Sequence, residues 1–143
     1  MKRLIIAAIA TVIAVPAIAA ANDAIDKAAK EKGAVKTSSG MVYLSIKDGK
    51  GKSPTAANTV EVNYRGTLLN NREFDSSYKS GRPAEFQLNN VIKCWTEGLQ
   101  MMKVGGKAKL SCPSNLAYGE EGVSGSIPRN APLKFEVELI DIK

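Results

Sequence analysis

The chain has 143 residues, of which 44% are hydrophobic, 24% charged and 6% aromatic, a length that suits one domain of ordinary size. Twenty Lys and Arg stand against 14 Asp and Glu, and there is no histidine. Without an imidazole, Ser-His-Asp and Cys-His catalysis and His-ligated metal sites are excluded, and two cysteines are too few for a four-thiolate site.

The chain opens with the charged Met1-Lys2-Arg3, an apolar run from Leu4 to Val15 broken only by Thr11, and Pro16 before Ala17-Ile18-Ala19. A basic start, a short apolar core and a small-residue site form the pattern of a secretory signal peptide over residues 1–19. Cleavage is expected after Ala19, or after Ala21 if Ala19-Ala20-Ala21 is used. The competing reading is a membrane anchor, but the apolar stretch is shorter than the roughly 20 residues that cross a bilayer. Export places the mature protein in the periplasm, with secretion as the alternative, and leaves no membrane anchor. Removing Lys2 and Arg3 lowers the net charge of +6 by two, and the remaining bases are scattered among acids, so nucleic acid is not an expected partner.

Asn22 to Lys32 is rich in Ala, Lys, Asp and Glu, with Asn22 or Asp23 placed to cap a short helix that Gly33 ends. Its apolar edge of Ile25, Ala28 and Ala29 is too thin for a coiled-coil dimer, so residues 20–38 are expected to be a mobile, partly helical leader on a monomer.

From Gly40 the apolar period becomes two. Met41 to Lys47 is a first strand, and Thr59 to Thr67 a second, with Val60, Val62 and Tyr64 on one face. Ala84 to Leu88 is a third. Cys94 to Met102 then sets Trp95, Leu99 and Met102 at i, i+4 and i+7, one apolar stripe of a short helix. Gly105-Gly106 turns the chain into a strand over Lys107 to Cys112; lacking an upstream Gly and a following Ser or Thr, it is not a phosphate loop. A long loop from Pro113 to Pro132 leads to the clearest strand, Pro132 to Ile142, where Leu133, Phe135, Val137 and Leu139 alternate with Lys134, Glu136 and Glu138. The expected class is α+β: an antiparallel sheet of about five strands curled around one short helix, in a domain covering residues 39–143.

Val62-Asn63-Tyr64-Arg65-Gly66, Phe74-Asp75-Ser76-Ser77, Val91-Ile92 with Trp95 and Gly98, Gly105-Gly106-Lys107, Ala117-Tyr118-Gly119 and Ile127-Pro128 follow one another in a familiar order and spacing. In these motifs the chain resembles the FKBP-type peptidyl-prolyl isomerases, exported bacterial members above all. The resemblance implies an isomerase without cofactor or metal, acting on proline-containing polypeptides and open to macrolide inhibitors. A prolyl ring would rest on the indole of Trp95, between walls from Tyr64, Phe74, Phe86, Val91, Ile92 and Phe135, with Ile127 on the loop side. Tyr118 and the Ile92 N–H would bond the ligand carbonyls, and Asp75 would sit beside the amide being twisted. Tyr64, Asp75 and Tyr118 are thus the candidate catalytic residues.

Each residue also has a plainer reading. Trp95 on an apolar stripe suits a core residue with its N–H paired, Asp75 before two serines suits a turn, and Tyr118 beside Gly119 suits a loop aromatic folded onto the sheet. Ala84 stands where relatives often carry Phe, Ser126 where they often carry Ile, and Val123 where some carry His, which thins the rim of the slot. A proline-binding module or chaperone without turnover uses the same pocket residues, and a structural envelope protein is a third class. Cys94 and Cys112, in a chain bound for an oxidising compartment, are expected to pair, against the alternative of two buried free thiols.

Overall fold

The computed structural model describes residues 17–143. The signal-peptide reading of residues 1–19 therefore falls almost wholly outside the described residues.

Helix α1 (Ala17–Ala29) begins earlier than the caps at Asn22 or Asp23 predict, because four of the five residues from Ala17 to Ala21 are alanines, the strongest helix formers, and continue the turn backwards. Both candidate cleavage positions lie in its first turns. It ends short of Lys32, and Gly33 takes the left-handed φ of +87° that redirects the chain. The leader is docked: α1 packs against the sheet and Ile25 is only 6% exposed. Two surface ion pairs, Asp26 with Lys36 at 3.1 Å and Glu31 with Lys109 at 3.0 Å, add little to this, since exposed pairs contribute about 0–1 kcal/mol.

Seven antiparallel strands follow: β1 (Val35–Lys36), β2 (Val42–Lys47), β3 (Thr59–Leu68), β4 (Glu73–Ser76), β5 (Ala84–Gln87), β6 (Lys107–Cys112) and β7 (Leu133–Ile142). They are ordered β1-β2-β6-β7-β3-β4, with β5 also on β3. The five expected strands are all present, and the class is α+β. The two additional strands are β1, only two residues long, and β4, whose alternation is broken by a bulge.

The alternation in β3 and β7 sorts side chains as its period requires. Val60, Val62, Leu133, Val137 and Leu139 are fully buried on the inner face. On the outer face, Lys107 stands opposite Glu138 and Lys109 opposite Glu136, cross-strand pairs of opposite charge. Helix α2 (Lys93–Gln100) covers the inner face with Cys94, Trp95, Gly98 and Leu99, and Met102 closes the stripe just beyond it. Cys94 and Cys112 form a disulfide with Cα atoms 5.8 Å apart, joining the first turn of α2 to the last residue of β6. No helix among the described residues is long and apolar enough to cross a membrane.

Candidate active site

Trp95 enters α2 immediately after Cys94 and turns its indole toward the sheet. Three rings stand edge-on around it: Tyr64 at 5.1 Å and 82°, Phe135 at 5.4 Å and 81°, and Phe86 at 5.5 Å and 89°. Phe74 in turn meets Phe135 edge-on at 5.6 Å. Such perpendicular packing suits the ring quadrupoles, and here it makes a flat floor with upright walls. The resulting cavity, of about 470 Å³, is lined by Tyr64, Phe74, Asp75, Phe86, Asn90, Val91, Ile92, Trp95, Tyr118 and Phe135.

Phe74 and Asp75 are consecutive, and in a regular strand they would face opposite sides. They share the cavity because β4 bulges. Asp75 opposes Gly66 while Glu73 opposes Thr67, so Phe74 is the extra residue. Gly66 makes room for it: a Cβ there would lie 2.6 Å from Phe74 Cζ and 2.8 Å from Phe135 Cε1. Gly66→Ala is therefore expected to push two walls into the slot, costing about 1–3 kcal/mol of stability by overpacking and most of the ligand affinity. Proline-peptide titration with a thermal melt checks this, and unchanged affinity would contradict it.

Polar groups complete the lining. The Tyr64 hydroxyl donates to Asp75 Oδ2 at 2.7 Å, and the Ser76 N–H donates to Asp75 Oδ1 at 2.9 Å, so both carboxylate oxygens are engaged. Ile92 is the N-cap of α2; its carbonyl takes the N–H groups of Trp95 and Thr96, while its own N–H has no backbone partner among the described residues. Tyr118, carried by the long loop, is 41% exposed at the rim. An apolar slot edged by hydroxyl and N–H donors can hold a small apolar ring and bond the carbonyls beside it.

A family model described as FKBP-type peptidyl-prolyl cis-trans isomerase matches residues 50–140. The chain belongs to the FKBP family. It is 52% identical over 118 residues to the FkpA isomerase of Escherichia coli, covering 82% of this chain and 43% of that one. The FkpA of Aeromonas hydrophila is 52% identical over 115 residues, 80% of this chain and 42% of that one. The chain thus spans less than half the length of these curated relatives. The crystal structure of Escherichia coli FkpA superposes with a TM-score of 0.84 at 50% identity, over 87% of this chain and 58% of that one. A peptidyl-prolyl isomerase from Pseudomonas syringae superposes at 0.79 and 34% identity, covering 90% and 98% of the two chains.

Of the residues singled out in the sequence, the FKBP slot brings together Tyr64, Phe74, Asp75, Phe86, Val91, Ile92, Trp95, Tyr118 and Phe135. Ile127 is outside it. The long loop folds into a small hairpin in which Val123 and Ile127 bridge, so Ile127 is buried at the base of that hairpin and borders a separate surface hollow beside Arg72 and Arg129. Asn90 joins the lining without having been expected. It lies in the one-turn 3₁₀ segment before Val91, and its amide donates to Gln87 at 3.0 Å. The plainer reading of Trp95 also changes, since its buried N–H finds no acceptor among the described residues.

Burial raises the pKa of Tyr64 well above the usual phenol value, helped by its bond to Asp75, and burial followed by the Asp75 charge raises that of Tyr118. Both hydroxyls therefore stay neutral donors. Because the folded values are raised, the stability these groups supply is complete below the ordinary tyrosine pKa of about 10 and is lost only as pH climbs through the higher folded values. With no histidine present, kcat/KM for a proline peptide is expected to be flat from about pH 6 to about pH 9. A limb near neutrality in the measured profile would contradict this.

Proposed function

We propose that the chain is a working peptidyl-prolyl cis-trans isomerase that speeds rotation about X-Pro bonds in folding polypeptides. The observation that carries the reading is the floor of Trp95 ringed edge-on by Tyr64, Phe86 and Phe135 in a cavity that Asp75 and Tyr118 also line. Rotation is opposed by amide resonance, with a barrier of about 18–20 kcal/mol, and makes or breaks no bond. It needs neither nucleophile nor base. The planar amide is more polar than the twisted one, so a dry apolar slot favours the twisted state and positioned hydrogen bonds add to that preference. Lowering the barrier by about 7 kcal/mol would accelerate rotation about 10⁵-fold.

In this reading the prolyl ring rests on Trp95, Tyr118 and the Ile92 N–H bond the flanking carbonyls, and Asp75 with Tyr64 lies against the twisting amide. NMR exchange or a chymotrypsin-coupled assay on Ala-X-Pro peptides tests it. Tyr118→Phe is expected to lower kcat/KM about tenfold, the net worth of one hydrogen bond, with the thermal midpoint nearly unchanged, whereas Asp75→Ala is expected to lower kcat/KM at least as much and the midpoint as well, because it takes the acceptor from the Tyr64 hydroxyl and the Ser76 N–H. Full activity in both variants would reject these roles. Binding without acceleration in the unaltered chain would make it a proline-binding module. Macrolides that compete with proline peptides for the slot are expected to inhibit.

The proposed compartment is the periplasm, with clients among envelope or secreted proteins. The N-terminal export pattern and the Cys94–Cys112 disulfide support it. A monomer is proposed because the leader helix turns Ile25 onto its own sheet rather than outward; sedimentation tests this.

A further inference from the structure

Strand β3 keeps β7 along one edge, but along the other its partner changes. β5 pairs with Thr59 through Val62, and β4 pairs from Arg65 onward. Asn63 and Tyr64 fall in the seam between the two, where no strand supplies an acceptor for the Tyr64 N–H. A buried backbone donor left there would cost about 1–3 kcal/mol. Ser77 fills the gap. The Tyr64 N–H donates to Ser77 Oγ at 2.9 Å, and Ser77 Oγ donates its own proton to Asn63 Oδ1 at 3.0 Å. The serine is 4% exposed, so this hydroxyl is buried with both its donor and acceptor capacity in use.

Two residues earlier on the same segment, Asp75 takes the hydroxyl of the same tyrosine. Segment 75–77 therefore grips Tyr64 at both ends, backbone and phenol. Ser76 stiffens the grip, since its Oγ accepts the Tyr78 N–H at 3.0 Å and locks the turn that follows. We propose that Ser77 is a positioning residue for the isomerase reaction: by holding the backbone of Tyr64 in the seam, it sets the angle at which the phenol stands over Trp95 and reaches Asp75. The proposal rests on the isomerase reading above. Ser77 never touches the substrate and acts through Tyr64 alone.

The test compares Ser77→Ala in the unaltered chain and in a Tyr64→Phe background, by kcat/KM, thermal midpoint and NMR titration of the Tyr64 ring. Ser77→Ala is expected to lower kcat/KM about tenfold, the scale of one well-placed hydrogen bond. In Tyr64→Phe, where there is no hydroxyl left to aim, the same change is expected to leave kcat/KM within about twofold, while the thermal midpoint falls in both backgrounds and further in the unaltered chain, where the Tyr64–Asp75 bond is disturbed as well. The Tyr64 titration is expected to move down in Ser77→Ala only by the part that its bond to Asp75 supplies, burial still holding it above the ordinary tyrosine value, although Asp75 is intact. A fall in the midpoint alone, with kcat/KM and titration unmoved, would overturn the proposal, as would equal losses of kcat/KM in both backgrounds. Should Ser77→Ala not fold, Ser77→Cys keeps the size, weakens the acceptor and carries the same readouts. Failure of the isomerase reading is seen separately, as an inert unaltered chain; the titration then still decides whether Ser77 aims the phenol.

Discussion

Trp95→Ala is expected to lose about 3–5 kcal/mol of folding stability, the range for removing a large aromatic side chain from a core, and with it nearly all isomerase activity. The two losses have one cause. Trp95 is 4% exposed and is the ring that Tyr64, Phe86 and Phe135 all stand against, so its removal empties the floor and frees three walls at once. For a domain of this size the midpoint should fall by roughly 15 °C or more. Trp95→Phe should be far milder. The indole N–H has no acceptor among the described residues, so replacing it with a hydrocarbon ring removes an unpaired buried donor and offsets part of the lost apolar area. Paired thermal melts and peptide assays on the two variants check this; equal damage from both would show that the N–H, not the ring, is what the site uses.

Breaking the disulfide is the second large effect. Cys94 and Cys112 are 18 positions apart, and a crosslink closing a loop of that length contributes about 3 kcal/mol by restricting the unfolded chain. Both residues are fully buried, so Cys94→Ala with Cys112→Ala adds small cavities to the lost crosslink and should cost more than reduction alone. Urea unfolding with and without reductant measures the first quantity, and the double variant measures the second. A midpoint that reductant does not move, with both thiols shown to be free, would contradict the expectation.

The parts of this molecule that sequence made legible are those where one physical constraint acts alone. β3 and β7 have one wet and one dry face, so the period of two shows plainly from Thr59 to Leu68 and from Leu133 to Ile142. The stripe of Trp95, Leu99 and Met102 exposed α2 in the same way. β4 stayed hidden because its bulge sets Phe74 and Asp75 on one side, which breaks the alternation that would have marked it. The docking of α1 depends on one buried side chain, Ile25, too little for any periodic signal. Ile127 was placed at the slot by motif, yet its position is decided by a loop hairpin whose turns use left-handed Gly122 and Gly125, at φ +60° and +81°. Ser77 is a polar residue whose role follows from where β5 and β4 pair with β3, and register is a relation between distant segments that local pattern does not carry.

β7 is the last strand of the domain to be synthesised, yet it occupies the middle of the sheet, between β6 and β3. Those two strands share no edge with each other. Without Leu133 to Ile142 the sheet divides into two groups, β1-β2-β6 and β3 with β4 and β5, which no strand pairing joins. Closure then requires pairings across most of the domain, such as Val60 with Ile142, and contacts so distant in sequence form slowly. Completion of the sheet is therefore expected to be the last and slowest step of folding, because β6 and β3 each leave one edge unpaired until β7 lies between them.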